Sequence, residues 1–322
     1  MMSDIKYNSL YDKYEAIFSS IAWSNLFAEN DKVLHEDFKK IFPELPPLTE
    51  LKDNVDMLMV NMYPLWEGVH PYPPNSALFK FNGRIGQEIP EEFQTYLDSS
   101  KDGVIYASFG TSVSFSTLSR DIIASILRGF STLPYEVLLK CDTDELAVLD
   151  RPKNVKLFKL LPQPDILRHP KIKLFITQGG LHSIDEAIDA GVPLVVIPTK
   201  FDQFANAERC VDNGIGVKLD INTISEQKLI DAIKTVVEDK RFGDNIKKLR
   251  AILQDNPMKS MDRLLWAIEY TTRHRGAKHL RTPSANMSWA EFFELELLET
   301  KRNVPVSPHC SEEKEACGAF QV

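Results

Sequence analysis

The stretch "IKLFITQGGLHSIDEAIDAG", residues 172–191, decides the fold. An apolar run, Ile172 to Thr177, stops at Gln178-Gly179-Gly180, and a helix-like segment begins at once and closes on Gly191. A buried strand that breaks on two glycines and restarts as a helix is the turn of a strand–helix unit in a parallel sheet. Such a turn lets backbone approach an anion closely. The new helix then presents unpaired N–H groups and a partial positive charge. The sequence reading puts the helix start at Ser183. The spacing is neither G-x-G-x-x-G nor G-x-x-x-x-G-K-[ST], so the glycine pair alone also reads as an ordinary tight turn.

Working outward, the same alternation recurs. "GVIYASFG", "PYEVLLKCD", "VKLFKLL", "VPLVVIP" and "GVKLD" read as strands. Between them, "STLSRDIIASILRGF", "QPDILRHP", "FDQFANAERCVDNG" and "EQKLIDAIKTVVED" read as helices. The expected caps are Ser116 or Thr117 for the first of these helices and a Thr223–Glu226 capping box for the last. Continuous apolar strands alternating with helices predict a doubly wound α/β domain. Residues 1 to about 45 read as helices, "VDMLMVNMYPLW" from Val55 as a short buried strand, and the Pro-rich passage through "QEIPEEF" as a linker. The expected division is 1–85, a linker 86–100, the doubly wound domain 101–275, an extension 276–300 and a disordered tail 301–322.

Composition sets bounds. The chain has 322 residues, 43% hydrophobic, enough for about two domains. A formal charge of −8 argues against nucleic acid as a partner. The four cysteines fit neither a disulfide framework nor a zinc spacing; Cys141 and Cys210 read as small core hydrophobes. No metal site is expected, and no cofactor. No secretory leader and no apolar run of membrane-spanning length is visible.

Four places carry candidate chemistry: "ASFGTS" at 107–112, "LLPQPDIL" at 160–167, the Gln-Gly-Gly turn, and "PTKFDQFANAE" at 198–208. In order, they resemble the UDP-glycosyltransferase family, whose long signature covers residues 160–203. The wording "ITQGGL", with Gln before the glycines, is similar to the insect and baculovirus branch that includes ecdysteroid glucosyltransferases. The resemblance implies a GT-B fold: here, one complete Rossmann-like donor domain plus the end of an N-terminal acceptor domain. It also implies donor-site roles. Gln163 would bond the uracil, and Glu186 the ribose hydroxyls. Gln178, Gly179, Gly180, His182 and Ser183, with Gly110 and Thr111, would surround the diphosphate. Asp202 and Gln203 would hold the transferred sugar. Each also has a plainer reading: Asp202 as a helix cap, Glu186 as a dipole partner, His182 as a surface residue, Gln163 and Gln203 as solvent-facing amides.

Two departures stand out. Leu160 occupies the place where the family has an aromatic stacked on uracil, and the family's catalytic His–Asp pair has no counterpart in the chain. The expected activity is inverting, metal-independent transfer of a hexosyl group, glucose by the insect-like wording, from a UDP-sugar to a hydroxyl of a small lipophilic acceptor. A chain that starts near the end of the acceptor domain is expected to be inactive alone. The alternative is a non-catalytic nucleotide-sugar-binding or regulatory partner, associating with itself or with full-length relatives. The family resides in the endoplasmic reticulum membrane, or is secreted for viral members; this chain shows the signal for neither.

Overall fold

The computed structural model describes residues 9–63, 72–80, 88–110, 118–141 and 151–283, with single positions 66, 68, 86, 115, 287 and 291. Thr111, Cys310, Cys317 and the expected tail lie outside the described residues. The chain divides into two compact units, one of Met1–Val60, Val69–Leu78 and Arg263–Val322, the other of Asn61–Gly68 and Phe79–Asp262.

The second unit is built on a six-stranded, fully parallel sheet. Its strands are β3 (Val104–Ser108), β4 (Glu136–Lys140), β5 (Val155–Phe158), β6 (Ile172–Thr177), β7 (Leu194–Val196) and β8 (Gly216–Lys218), in the spatial order β5-β4-β3-β6-β7-β8. Three strands therefore run outward from β3 and three from β6, and the winding reverses between them. That reversal opens a crevice at the carboxyl ends of β3 and β6.

Period-two alternation gives each face its own core. Ile105, Ala107, Val137, Leu139, Leu174 and Ile176 pack to one side. There they meet Ile123, Ile126 and Phe130 of α4 (Arg120–Ser131) and Leu229, Ile233 and Val236 of α8 (Glu226–Glu238). Val104, Tyr106, Leu138, Phe175, Leu194 and Val196 pack to the other side. Their partners come from α3 (Glu91–Ser99), α5 (Gln163–Leu167), α6 (Leu181–Ala190), α7 (Gln203–Asp212) and α9 (Lys240–Gln254). Cys141 and Cys210 are buried, and burial pushes Cys210 up to about 12, so it packs as an inert hydrophobe.

Several boundaries differ from the sequence expectation. The cap of α4 is Ser119, which accepts from Ile122 N, and that of α8 is Ser225, which accepts from Lys228 N. In both cases a serine with extended backbone lies nearer the first buried turn than the predicted residue. The helix at the Gln-Gly-Gly turn begins at Leu181 with Gly180 as N-cap, so Ser183 is its third residue. Residues 91–99, read as linker, form α3: Pro90 precedes its first turn and Leu97 is fully buried. Gly191 ends α6 in the left-handed region (φ 75°), as expected. A single residue, Asp239, closes α8 and caps α9, its carboxylate accepting from Arg241 N at 2.9 Å.

The first unit contains α1 (Leu10–Lys39), α2 (Leu48–Asp53) and most of α10 (Ser260–Arg273). Strand β1 (Leu58–Asn61) pairs with β2 (Ser76–Phe79). The strand expected to be buried is not: Leu58 and Met59 of β1 are exposed. Phe18, Trp23 and Phe27 of α1 are exposed as well. Among the described residues, no helix is long and apolar enough to cross a membrane, and no three metal-ligating side chains gather.

Candidate functional site

A cleft of about 450 Å³ opens at the crevice between β3 and β6. Gly110, Leu160, Gln163, Gln178, Gly180, His182, Ser183 and Glu186, all named from the sequence, line it. They arrive from three turns at the carboxyl ends of β3, β5 and β6.

The tightest joint is between the first and last of these strands. Gly110 has φ 74°, and a Cβ there would collide with Nε2 of Gln178. Gln178 is buried, and its Oε1 accepts from Thr177 Oγ1 at 3.1 Å. Glycine at 110 is thus required twice, by backbone conformation and by the amide packed on it. Gly180 keeps φ below zero, but its Cβ would lie 3.1 Å from the same Nε2. No side chain caps α6 at Gly180, and its first turn carries no acid. Its N–H groups thus face the cleft without a protein anion in competition.

Beside this turn, Gln163 at the start of α5 donates from Nε2 to Glu186 Oε2 at 2.7 Å and to Ser183 Oγ at 3.2 Å. Tyr106 of β3, a fully buried ring, donates its hydroxyl to Gln163 Oε1 at 3.3 Å. Burial pushes the Glu186 carboxyl above its ordinary value, against the opposing pull of Gln163, His182 and Arg168. Burial, then the Glu186 charge, drives the Tyr106 hydroxyl far up, so it stays a neutral donor. The far end of α6 is pinned by two arginines and a glutamine: Arg168 pairs with Asp189, Arg250 donates to the Asp189 and Ala190 carbonyls, and Gln254 donates to the Asp189 carboxylate at 3.0 Å.

Gly179, Asp202 and Gln203 do not line the cleft; Gly179 and Gln203 are buried and Asp202 is exposed. Gly179 has φ 88°, and a Cβ there would lie 2.7 Å from Val196 and 3.3 Å from the Gln203 carbonyl. Asn206 ties two of them together, donating to Gly179 O at 3.0 Å and Asp202 Oδ2 at 2.8 Å. Asp202 is N-cap of α7 by position, yet its side chain makes no capping bond. Gln203 is buried, and its Oε1 accepts from Thr199 N, Thr199 Oγ1 and Lys200 N at 2.8–3.0 Å.

Sequence reasoning missed Tyr106, Ser108 and Lys140, which also line the cleft. Lys140, the last residue of β4, reaches the Gly110 carbonyl at 3.0 Å and brings a positive charge to the turn. Its signal was positional: a lysine closing an apolar strand beside the one that ends in Gly110.

A glycine-turned crevice with an uncapped helix, an amide–carboxylate pair and a lysine is suited to a nucleoside diphosphate. Comparison with solved structures places the fold in one class. The glycotransferase of kitacinnamycin superposes with a TM-score of 0.56 at 22% identity, over 68% of this chain and 55% of that one. The spinosyn forosaminyltransferase SpnP superposes with a TM-score of 0.57 at 20% identity, over the same shares. The α/β domain is of the GT-B glycosyltransferase type. At the level of sequence, the profile of UDP-glucoronosyl and UDP-glucosyl transferases matches residues 31–304, and the chain belongs to that family. It is 33% identical over 256 residues to UDP-glucosyltransferase 2 of Dactylopius coccus, covering 79% of this chain and 49% of that one. It is 31% identical over 301 residues to the ecdysteroid UDP-glucosyltransferase of Spodoptera littoralis nuclear polyhedrosis virus, covering 90% and 58%. With human UDP-glucuronosyltransferase 2B10 it shares 34% over 279 residues, covering 86% and 52%. The chain thus spans about half the length of the curated relatives it matches.

Proposed function

We propose that the chain binds a UDP-sugar in the β3/β6 crevice and serves hexosyl transfer from it to a hydroxyl of a small lipophilic acceptor. The observation that carries this reading is the Gln163–Glu186–Ser183 cluster standing beside the uncapped start of α6. A carboxylate accepts at several lone-pair positions, so Glu186 holds Gln163 and still receives the two vicinal ribose hydroxyls. The uracil lies against Leu160 and donates its N3–H to Gln163 Oε1, both N–H groups of that amide being held by Glu186 and Ser183. The diphosphate meets the N–H groups at Leu181, His182 and Ser183, with the Lys140 ammonium on its other side. Charge growing on the departing UDP is stabilised by these fixed donors, which need no reorganisation as the bond breaks.

The sugar falls toward the Asp202–Gln203 end. With the Gln203 oxygen engaged by Thr199 and Lys200, its amide NH₂ and the Asp202 carboxylate are the groups offered to sugar hydroxyls. Inversion and metal independence follow the family resemblance, as does glucose. The base that takes the acceptor's proton is assigned to no residue of this chain, which is expected to bind donor and to transfer no sugar alone.

Thermal unfolding with UDP tests the reading. A ligand at 100 times its Kd adds about 2.7 kcal/mol to the unfolding free energy. The melting temperature is expected to rise with UDP in the wild type and to stay flat in Gly180→Val, whose branched side chain blocks the phosphate turn. No shift at millimolar UDP would overturn the assignment.

A further inference from the structure

A second cavity, of about 540 Å³, lies along α6 but uses residues other than those of the donor cleft: Asp185, Ile188 and Asp189 instead of Ser183 and Glu186. Its size is that of a pocket for a small organic molecule. Tyr63, Trp66 and Phe79 give it aromatic walls, and Met258 and Met261, about two-fifths exposed, form an adaptable rim.

Two buried donor groups in this cavity have N–H to offer a ligand. Among the described residues, the indole Nε1 of Trp66, a residue 3% exposed, has no hydrogen-bond partner. Lys80 is ion-paired with the Asp185 carboxylate at 2.5 Å, their side chains 14% and 7% exposed, a single contact that leaves the rest of its ammonium for a ligand. A buried donor without an acceptor is costly, and an ammonium has three N–H groups to satisfy. The charges also fall short of balance: Lys80, Arg250 and Lys259 line the cavity against Asp185 and Asp189. An aromatic-walled pocket with an unmet indole donor, a singly paired ammonium and one excess positive charge fits a flat monoanion.

We propose that this cavity is a second small-molecule site that takes an aromatic carboxylate, its ring between the aromatic walls and its carboxylate accepting from Trp66 Nε1 and Lys80 Nζ. The site is separate from the donor cleft and does not depend on UDP binding there.

The probe is 2-naphthoate, titrated calorimetrically into the full chain with and without saturating UDP. One saturable site is expected, with the same affinity in both conditions, and 2-naphthamide, which lacks the charge, should bind more weakly. Trp66→Phe keeps an aromatic ring but removes the N–H. It should weaken naphthoate about tenfold, the factor that 1.4 kcal/mol represents. Met258→Trp, at the exposed rim, should block the mouth and abolish binding while leaving the melting temperature near wild type, which keeps the test sound if Trp66→Phe fails to fold. Three results would overturn the proposal: no saturation at millimolar naphthoate, displacement by UDP, or wild-type affinity in Met258→Trp. The last would place the probe on the exposed apolar residues of α1.

Discussion

Gln163 and Glu186 stand on different helices, 23 residues apart, and meet through a 2.7 Å hydrogen bond from amide to carboxylate. The bond joins α5 to α6 and holds a partly buried carboxylate in the lining of the cleft, where we propose that the ribose binds. It works against burial, which still prevails and holds Glu186 above its ordinary value of 4.5.

That raised value sets a pH dependence. Below pH 4.5 the carboxyl is neutral both folded and unfolded. As pH rises through 4.5 the unfolded chain ionises first, so stability falls until the folded group ionises too, then levels. Compared with Glu186→Gln, the wild type should lose stability across this window, while its UDP affinity rises as the carboxylate forms. Urea unfolding over a pH series measures the first and calorimetry the second. A wild-type stability that climbs relative to Glu186→Gln would mean that Gln163, His182 and Arg168 outweigh burial.

Gly110→Ala should destabilise the domain by ~1–3 kcal/mol, because alanine resists the left-handed backbone and its Cβ strikes Gln178. Adding Gln178→Ala should recover part of the loss. The double-mutant cycle separates collision from backbone strain, and a coupling of zero would leave backbone strain alone.

Gln203→Ala should cost ~1–3 kcal/mol before any ligand is added, since it leaves two half-buried N–H groups and a hydroxyl without the Gln203 acceptor. Melting of the unliganded protein decides this. An unchanged midpoint would free Gln203 for a role in sugar binding alone.

Leu160 is 82% exposed at the cleft rim, with room for a larger ring. Leu160→Trp should therefore tighten uridine binding by about 1–3 kcal/mol through stacking and leave the unliganded melting temperature unchanged. Equal affinity in the two proteins would move the base away from this residue.

Lys140→Met should weaken UDP by ~1.5–3 kcal/mol and leave uridine untouched, because the ammonium serves the phosphates and not the nucleoside. Paired titrations with both ligands give the comparison, and equal losses would assign Lys140 to the architecture of the Gly110 turn.

The central strands were legible because Val104–Ser108, Ile172–Thr177 and Leu194–Val196 are apolar runs with glycine or proline beside them. Eight cleft residues were legible because they lie within contiguous wording at strand ends. Helix α3 was hidden by Pro90 before it and the Pro-rich passage upstream, although Phe93 and Leu97 already show helical spacing. Lys140 and Tyr106 were hidden for a different reason: local pattern reveals alternation but not strand order, and only the order β4-β3-β6 brings them to the crevice. The Gln203 environment depends on Thr199 and Lys200 folding back over it, a turn that the residue types do not announce.

The one-residue joint at Asp239 makes chain length itself a constraint. One residue inserted there would rotate α9 by about 100° about its axis. Ile246 and Leu249 would leave the core, and Arg250 and Gln254 would lose their hold on the end of α6. Length variation at this turn should therefore be filtered as strictly as substitution in the crevice, at a place that touches no ligand.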